Sequence, residues 1–240
     1  MYYYGFEYFI YLIPGILLAL YAQAKISSAY EKYGSINSKI NISGAQAARK
    51  ILDASGLYDV EIKMIGGRLT DNYNPSDKVL SLSKDVYENT SIASISIAAH
   101  EVGHAIQDKI DYKPLRFRES IVPMANLGSN LSVWFIIIGC FFSYFLTQIG
   151  VALFFFAVLF QIVTLPVEFD ASRRAKLAIE DAGFLDQEEM KGTKEVLSAA
   201  ALTYVGATLT AIGQFLRLLA LTNGGRRRRW ITLDKKHSLS

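Results

Sequence analysis

"LSVWFIIIGCFFSYFLTQIGVALFFFAVLFQIVTLPV", residues 131–167, contains no Lys, Arg, Asp or Glu. About 20 apolar residues in a helix cross a bilayer, so this run is too long for one straight crossing and fits two. It predicts a transmembrane helical hairpin over 120–167, turning near Thr147–Gly150, "TQIG". Bulk composition agrees. Of 240 residues, 51% are hydrophobic, and they are bunched rather than spread at period 2 or 3.6. The formal charge of +3 carries no signal for nucleic acid, and no such partner is expected. The single cysteine, Cys140, excludes an intrachain disulfide and a cysteine-based zinc finger.

Upstream of the hairpin, "FEYFIYLIPGILLALYAQ" (6–23) is a second apolar run with one charge, Glu7. "YAQA" resembles a signal-peptidase site, but no Lys or Arg precedes the run, so it reads as a retained N-terminal membrane anchor over 1–24. A polar segment, 25–119, follows. Ser43 is placed to cap a helix through "AQAARKILDAS" that Gly56 ends. "VEIKMI" (60–65) and "VLSLS" (79–83) read as short strands on either side of a turn-rich loop, "GGRLTDNYNPSD". A helix from about Ser91 to Lys109 comes next.

Downstream, "VEFDASRRAKLAIEDAG" (167–183) reads as a new charged helix leaving the membrane, and the segment 168–198 is helical. Asp186 and Glu189 form a capping-box pattern within it. A fourth apolar helix occupies 199–222, with Gln214 and Arg217 inside it. A basic tail, 223–240, carries "RRRR" (226–229), which reads as a topology or anionic-lipid anchor. The fold class is a mainly α membrane protein of about four apolar helices plus a catalytic part with a small β-sheet.

The chemistry lies in "AAHEVGHAIQ" (98–107). Helical residues four apart share a face, so His100 and His104 present two imidazoles to one point, as Zn²⁺ requires. Glu101, turned by about 100°, falls beside such an ion, where a carboxylate accepts a proton from water. Gly103 leaves room on the metal side. Ile92, Ile95, Ala99, Val102 and Ile106 make an apolar stripe on another face, so a cleft or a partner helix must cover the histidines.

A catalytic zinc site takes three protein ligands. A third histidine six residues beyond the motif is excluded, because Ile110 stands there and Gln107 takes the place of the usual glycine. His237 lies in the tail. The carboxylates Glu119, Glu168, Glu180, Glu188, Glu189 and Glu195 remain, and topology favours Glu168. The hairpin leaves the motif's side of the membrane and returns to it, delivering Glu168 at the start of the next helix.

"LTDNYNPSDKVLSLSKDVY" (69–87), "AAHEVGHAIQ", "VPMANLGSNLS" (122–132), "LFQIVTLPVEFDASRRA" (159–175) and "AAALTYVGA" (199–207) resemble the bacterial neutral zinc metallopeptidases of the YugP type. More distantly, the chain is similar to the HtpX-like and CAAX-prenyl-protease membrane metallopeptidases of the gluzincin kind. The resemblance implies a zincin-like catalytic segment in 25–119 and a multi-pass membrane zinc endopeptidase with one Zn²⁺ per chain. His100, His104 and Glu168 match the metal ligands, and Glu101 matches the general base. Distant relatives place an aspartate four residues after the ligand glutamate. Ser172 stands there instead, as a weaker partner for a histidine, while Asp170 is expected to point away.

Stabilisation of the oxyanion falls to Tyr204, Arg173 or Arg174, and "VLSLS" is expected as an edge strand that adds an extended substrate to the sheet. The expected partners are the lipid bilayer and polypeptide substrates, chiefly membrane proteins. Basic residues flanking the motif's side, from Lys25 and Lys32 to Arg173, Arg174 and Lys176, predict a cell-membrane protein with its site facing the cytoplasm. If 199–221 spans, the arginine run lies on the other side. Two other functions fit the motif: a structural-zinc or non-catalytic membrane scaffold, and a metal-dependent hydrolase of a non-peptide substrate.

Overall fold

A computed structural model describes residues 7–237, with side chains from 8 to 222. The first six residues of the expected anchor, the basic tail's side chains and His237 lie outside the described side chains. In chain order the elements are a 3-10 turn (Glu7–Tyr11), α1 (Ile13–Gly34), α2 (Gly44–Ala54), β1 (Glu61–Ile65), β2 (Asn72–Asn74), β3 (Val79–Ser83), α3 (Lys84–Glu88), α4 (Ile92–Lys109), α5 (Lys113–Phe142), α6 (Tyr144–Ala182) and α7 (Gln187–His237). The fold is thus mainly helical with one small sheet. Among the described residues, α5, α6 and α7 are long and apolar enough to cross a membrane. The N-terminal apolar run is divided between the 3-10 turn and the start of α1.

The chain forms two compact units. The first, a helical unit, comprises 1–20, 118–162 and 205–240. It holds residues 120–162 of the expected hairpin, 163–167 belonging to the other unit, and the break between α5 and α6 falls at Ser143, not at Thr147–Gly150. Ser143 ends α5 through its N–H to the Gly139 carbonyl, and its own carbonyl accepts from Leu146 and Thr147 at the start of α6. Gly139 permits this tight return, because a Cβ there would collide with the Thr147 backbone. Small residues serve helix contacts in lipid in this way, where close backbone approach replaces the hydrophobic drive.

The second, an α/β unit, comprises 21–117 and 163–204. Local signals build its elements as expected. Ser43 and Gln46 form a reciprocal capping box on α2, Gly56 follows it in the left-handed conformation, and Ser91 caps α4. Asp186 and Glu189 exchange backbone and side-chain bonds at the start of α7. The core is built from Leu52 of α2, Leu80 and Leu82 of β3, Ile95 and Val102 of α4, and Ile179 of α6, all buried.

Two expectations about this unit are overturned. The sheet order is β1-β3-β2, with β3 parallel to β1 and antiparallel to β2. The "VLSLS" strand is therefore central, both its edges are consumed, and it is no substrate-binding edge. The free edges belong to β1 and to β2, a three-residue strand hidden in the turn-rich loop. The charged segment after Pro166 is also no separate helix. α6 runs through Pro166 for 39 residues, so Glu168 sits inside a helix and not at its start. Proline costs a helix one N–H bond, but here the fully buried Val167 and Ala171 hold the following turn against the core.

Candidate metal centre

α4 is more buried than its apolar stripe predicts. Besides Ile95, Ala99 and Val102, the polar side chains of Ser96, His100, Glu101, His104 and Gln107 are buried. Buried polar groups demand partners, and each of these partners is informative. Ser96 bonds Thr193 at 2.9 Å. The two histidines meet α6, the partner helix that their face required. Gly103 makes that meeting possible: a Cβ there would lie 2.5 Å from the Ala171 carbonyl oxygen. The missing side chain therefore makes room for the backbone of α6, not for a metal, as the sequence suggested.

With the helices this close, Glu168 Oε2 lies 3.2 Å from His100 Nε2 and 3.5 Å from His104 Nε2. The three ligand atoms all fall within 4.8 Å of one another. These residues are 9%, 8% and 4% exposed, so little bulk water competes for them. For ligands about 2.0–2.1 Å from a tetrahedral ion, neighbouring donors are separated by roughly 3.3 Å. The two nitrogen–oxygen distances bracket that value, and two imidazoles with one carboxylate are a donor set suited to zinc. The residues fit the ion.

Of the other candidate third ligands, Glu189 caps α7, Glu188 pairs with Lys191, and Glu195 pairs with Lys32. Glu119 lies on α5 in the helical unit, and Glu180 on α6.

The outer ring nitrogens are also engaged. His100 Nδ1 is 3.1 Å from Ser172 Oγ, the position read as a weak histidine partner. His104 Nδ1 is 3.0 Å from Gln107 Oε1. Gln107 in turn donates through Nε2 to the Val167 carbonyl at 2.8 Å and to Asp170 Oδ2 at 2.9 Å. Asp170 does not point away from the site. It reaches it through Gln107, and Arg173 and Arg174 each bond it at 2.5 Å. Both arginines are thus turned to Asp170, and Tyr204 lies partly buried on α7.

Sequence reasoning missed Gln107 and Asp170 as partners of the site. The signal available was spacing: Gln107 lies three residues from His104, on the neighbouring turn of one helix face.

Glu101 is buried beside the cluster without belonging to it. Burial pushes its carboxyl up to about 7; His100 opposes the shift, nearby Glu168 and Asp71 add to it, and the Tyr73 backbone N–H donates to the carboxylate against it. Tyr73 belongs to the edge strand β2, and its phenol donates to Asp108 Oδ2 at 2.8 Å. Asp108 also receives Arg116 at 2.8 Å. Burial, together with the bond to Asp108, pushes the Tyr73 phenol far up, so it stays a donor.

The profile of the family described as "Putative neutral zinc metallopeptidase" matches residues 8–223. A curated relative, "Putative membrane protease YugP" of Bacillus subtilis (strain 168), is 44% identical over 220 residues, covering 91% of this chain and 98% of the relative. No solved structure matches the chain. The chain belongs to this family of neutral zinc metallopeptidases.

Proposed function

We propose that the protein is a membrane-embedded zinc endopeptidase, with one zinc ion per chain held by His100, His104 and Glu168 and with Glu101 as general base. The observation that carries the enzymatic reading is Glu101: a second buried carboxylate, adjacent in sequence to a ligand and outside the three-donor cluster. A purely structural zinc site has no use for it, and burying it has a cost. Zinc, when bound, supplies Lewis acidity at the scissile carbonyl. Glu101 takes the proton of the attacking water and returns it to the leaving amine. That task needs a carboxylate that can both accept and release a proton within reach of the water.

The proposed substrates are polypeptides in or near the membrane. The printed name of the relative, a membrane protease, supports this. So does β2, a sheet edge whose Tyr73 amide already meets Glu101 and beside which an extended chain can be held. The charge pattern supports a multi-pass protein of the cell membrane with its site on the cytoplasmic side: the basic residues Lys25, Lys32, Arg116, Arg173 and Arg174 all belong to the α/β unit.

The deciding experiment is metal analysis of the purified full-length protein beside His104→Ala, Glu168→Ala and Glu101→Gln, with cleavage of peptides followed in parallel. The reading expects zinc in the wild type and in Glu101→Gln, and loss of zinc in the other two. It expects turnover in the wild type alone. Zinc with no cleavage by any form favours a scaffold, and cleavage retained by Glu101→Gln removes the base.

A further inference from the structure

We infer that Gln107 is the positioning residue that decides which nitrogen of His104 is free to bind a metal, acting as the middle of a one-way hydrogen-bond chain that ends on Asp170. The inference rests on the metal reading above only for its consequence, not for its geometry.

The argument is one of donors and acceptors. One end of the Gln107 amide faces two oxygens, the Val167 carbonyl at 2.8 Å and Asp170 Oδ2 at 2.9 Å. A backbone carbonyl only accepts. Asp170, held by Arg173 and Arg174, is a carboxylate and only accepts as well. Turning the amide over would set its oxygen against both of these at those distances, so that end must be the NH₂. The other end is therefore the carbonyl oxygen, 3.0 Å from His104 Nδ1. An oxygen there needs a proton on Nδ1. With Nδ1 committed to Gln107, Nε2 is the nitrogen left to face Glu168 or to bind a metal. Gln107 is 0% exposed, so water is not at hand to reverse the chain.

His100 differs. Its Nδ1 meets the Ser172 hydroxyl, which rotates to donate or to accept and so dictates neither tautomer. The two imidazoles are alike in sequence but held unequally. Gln107 also does a second task. Its bond to Val167 grips the residue next to Glu168, so one side chain orients a ligand on α4 and the backbone beside a ligand on α6. Outer partners of ligating histidines act in this way, and removing one costs on the order of 10–100-fold in metal affinity.

The test uses the full-length protein in detergent, stripped of metal, with ¹⁵N-labelled histidine and long-range ¹H–¹⁵N correlation to tell Nδ1–H from Nε2–H. The wild type should show a proton on His104 Nδ1 throughout, because the Gln107 oxygen faces that atom. Gln107→Met, of similar volume and apolar, should admit the Nε2–H form. It should also weaken Zn²⁺ binding on the order of 10–100-fold in chelator competition. Ser172→Ala should leave the His104 signal unchanged. A wild-type His104 in the Nε2–H form overturns the inference even if no variant folds, and so does a Gln107→Met protein with unchanged tautomer and affinity. A wild type that binds no zinc defeats the metal reading instead, while the tautomer result still stands or falls alone.

Discussion

The two units of the molecule invert each other. In the helical unit large apolar side chains stand exposed: Phe141 and Phe142 are 81% and 82% exposed at the end of α5. In the α/β unit the helix at the centre buries histidines, a glutamate and a glutamine. Neither pattern is a defect. Exposed phenylalanines beside a run free of formal charge are what lipid requires of a surface, because lipid rewards no polar contact and water is absent. Buried polar groups on α4 are tolerable because nearly every one has a protein partner at hydrogen-bond distance. An apolar surface suited to lipid on one unit and a buried polar core on the other predict that substitutions of one kind have opposite consequences in them.

The largest effect is expected where a buried polar group has a task. Glu101→Gln, which keeps the shape and removes the proton acceptor, should lower peptide cleavage by on the order of 10²–10⁴-fold with zinc content intact. In the core of the same unit, Leu52→Ala should lower stability by about 2–5 kcal/mol, read from denaturant melts. Adding charge should matter in the helical unit. Ile138→Arg, at a lipid-length position of α5, should cost about 2.5–3.5 kcal/mol in a membrane-insertion assay. Normal insertion of that variant breaks the comparison, because it removes the evidence that lipid is the solvent there.

The smallest effect concerns pH. The Glu101 carboxyl lies near 7 in the folded chain against an ordinary 4.5, so folding disfavours its ionised form. Below about pH 4.5 both states hold the proton and nothing is lost. Between 4.5 and 7 the folded state binds the proton more strongly, and above 7 the destabilisation is complete. At 1.36 kcal/mol per pK unit it reaches at most about 3 kcal/mol. The metal-free protein should therefore gain stability as pH falls from 8 to 5, and Glu101→Gln should gain less. Equal gains in melting temperature remove Glu101 from the account.

What the sequence discloses follows the range of the forces involved. Ser43 and Asp186 announce their helices because a cap is settled within four residues. The hairpin is visible in its lack of charge, but its turn is not. Ser143 sits among phenylalanines and a tyrosine, whereas Thr147–Gly150 carries the more turn-like composition and is helical. The central place of β3 is a long-range result, since pairing with both β1 and β2 leaves no local mark in "VLSLS". The trio of His100, His104 and Glu168 was reachable because helical spacing and the hairpin's return both have simple geometry. The His104–Gln107 contact was within reach of the same spacing, but the contact between Gln107 and Asp170 was not. Their meeting depends on the distance between two helices, which no spacing along one of them encodes.

That distance has an unusual author. At position 103 the chain contributes no side-chain atom, and the adjoining carbonyl of Ala171 fills the space that a methyl group would claim. One added carbon would act as a shim, prising the two rods apart while leaving both imidazoles and the acid chemically untouched. The closeness of the three donors is thus set by an omission.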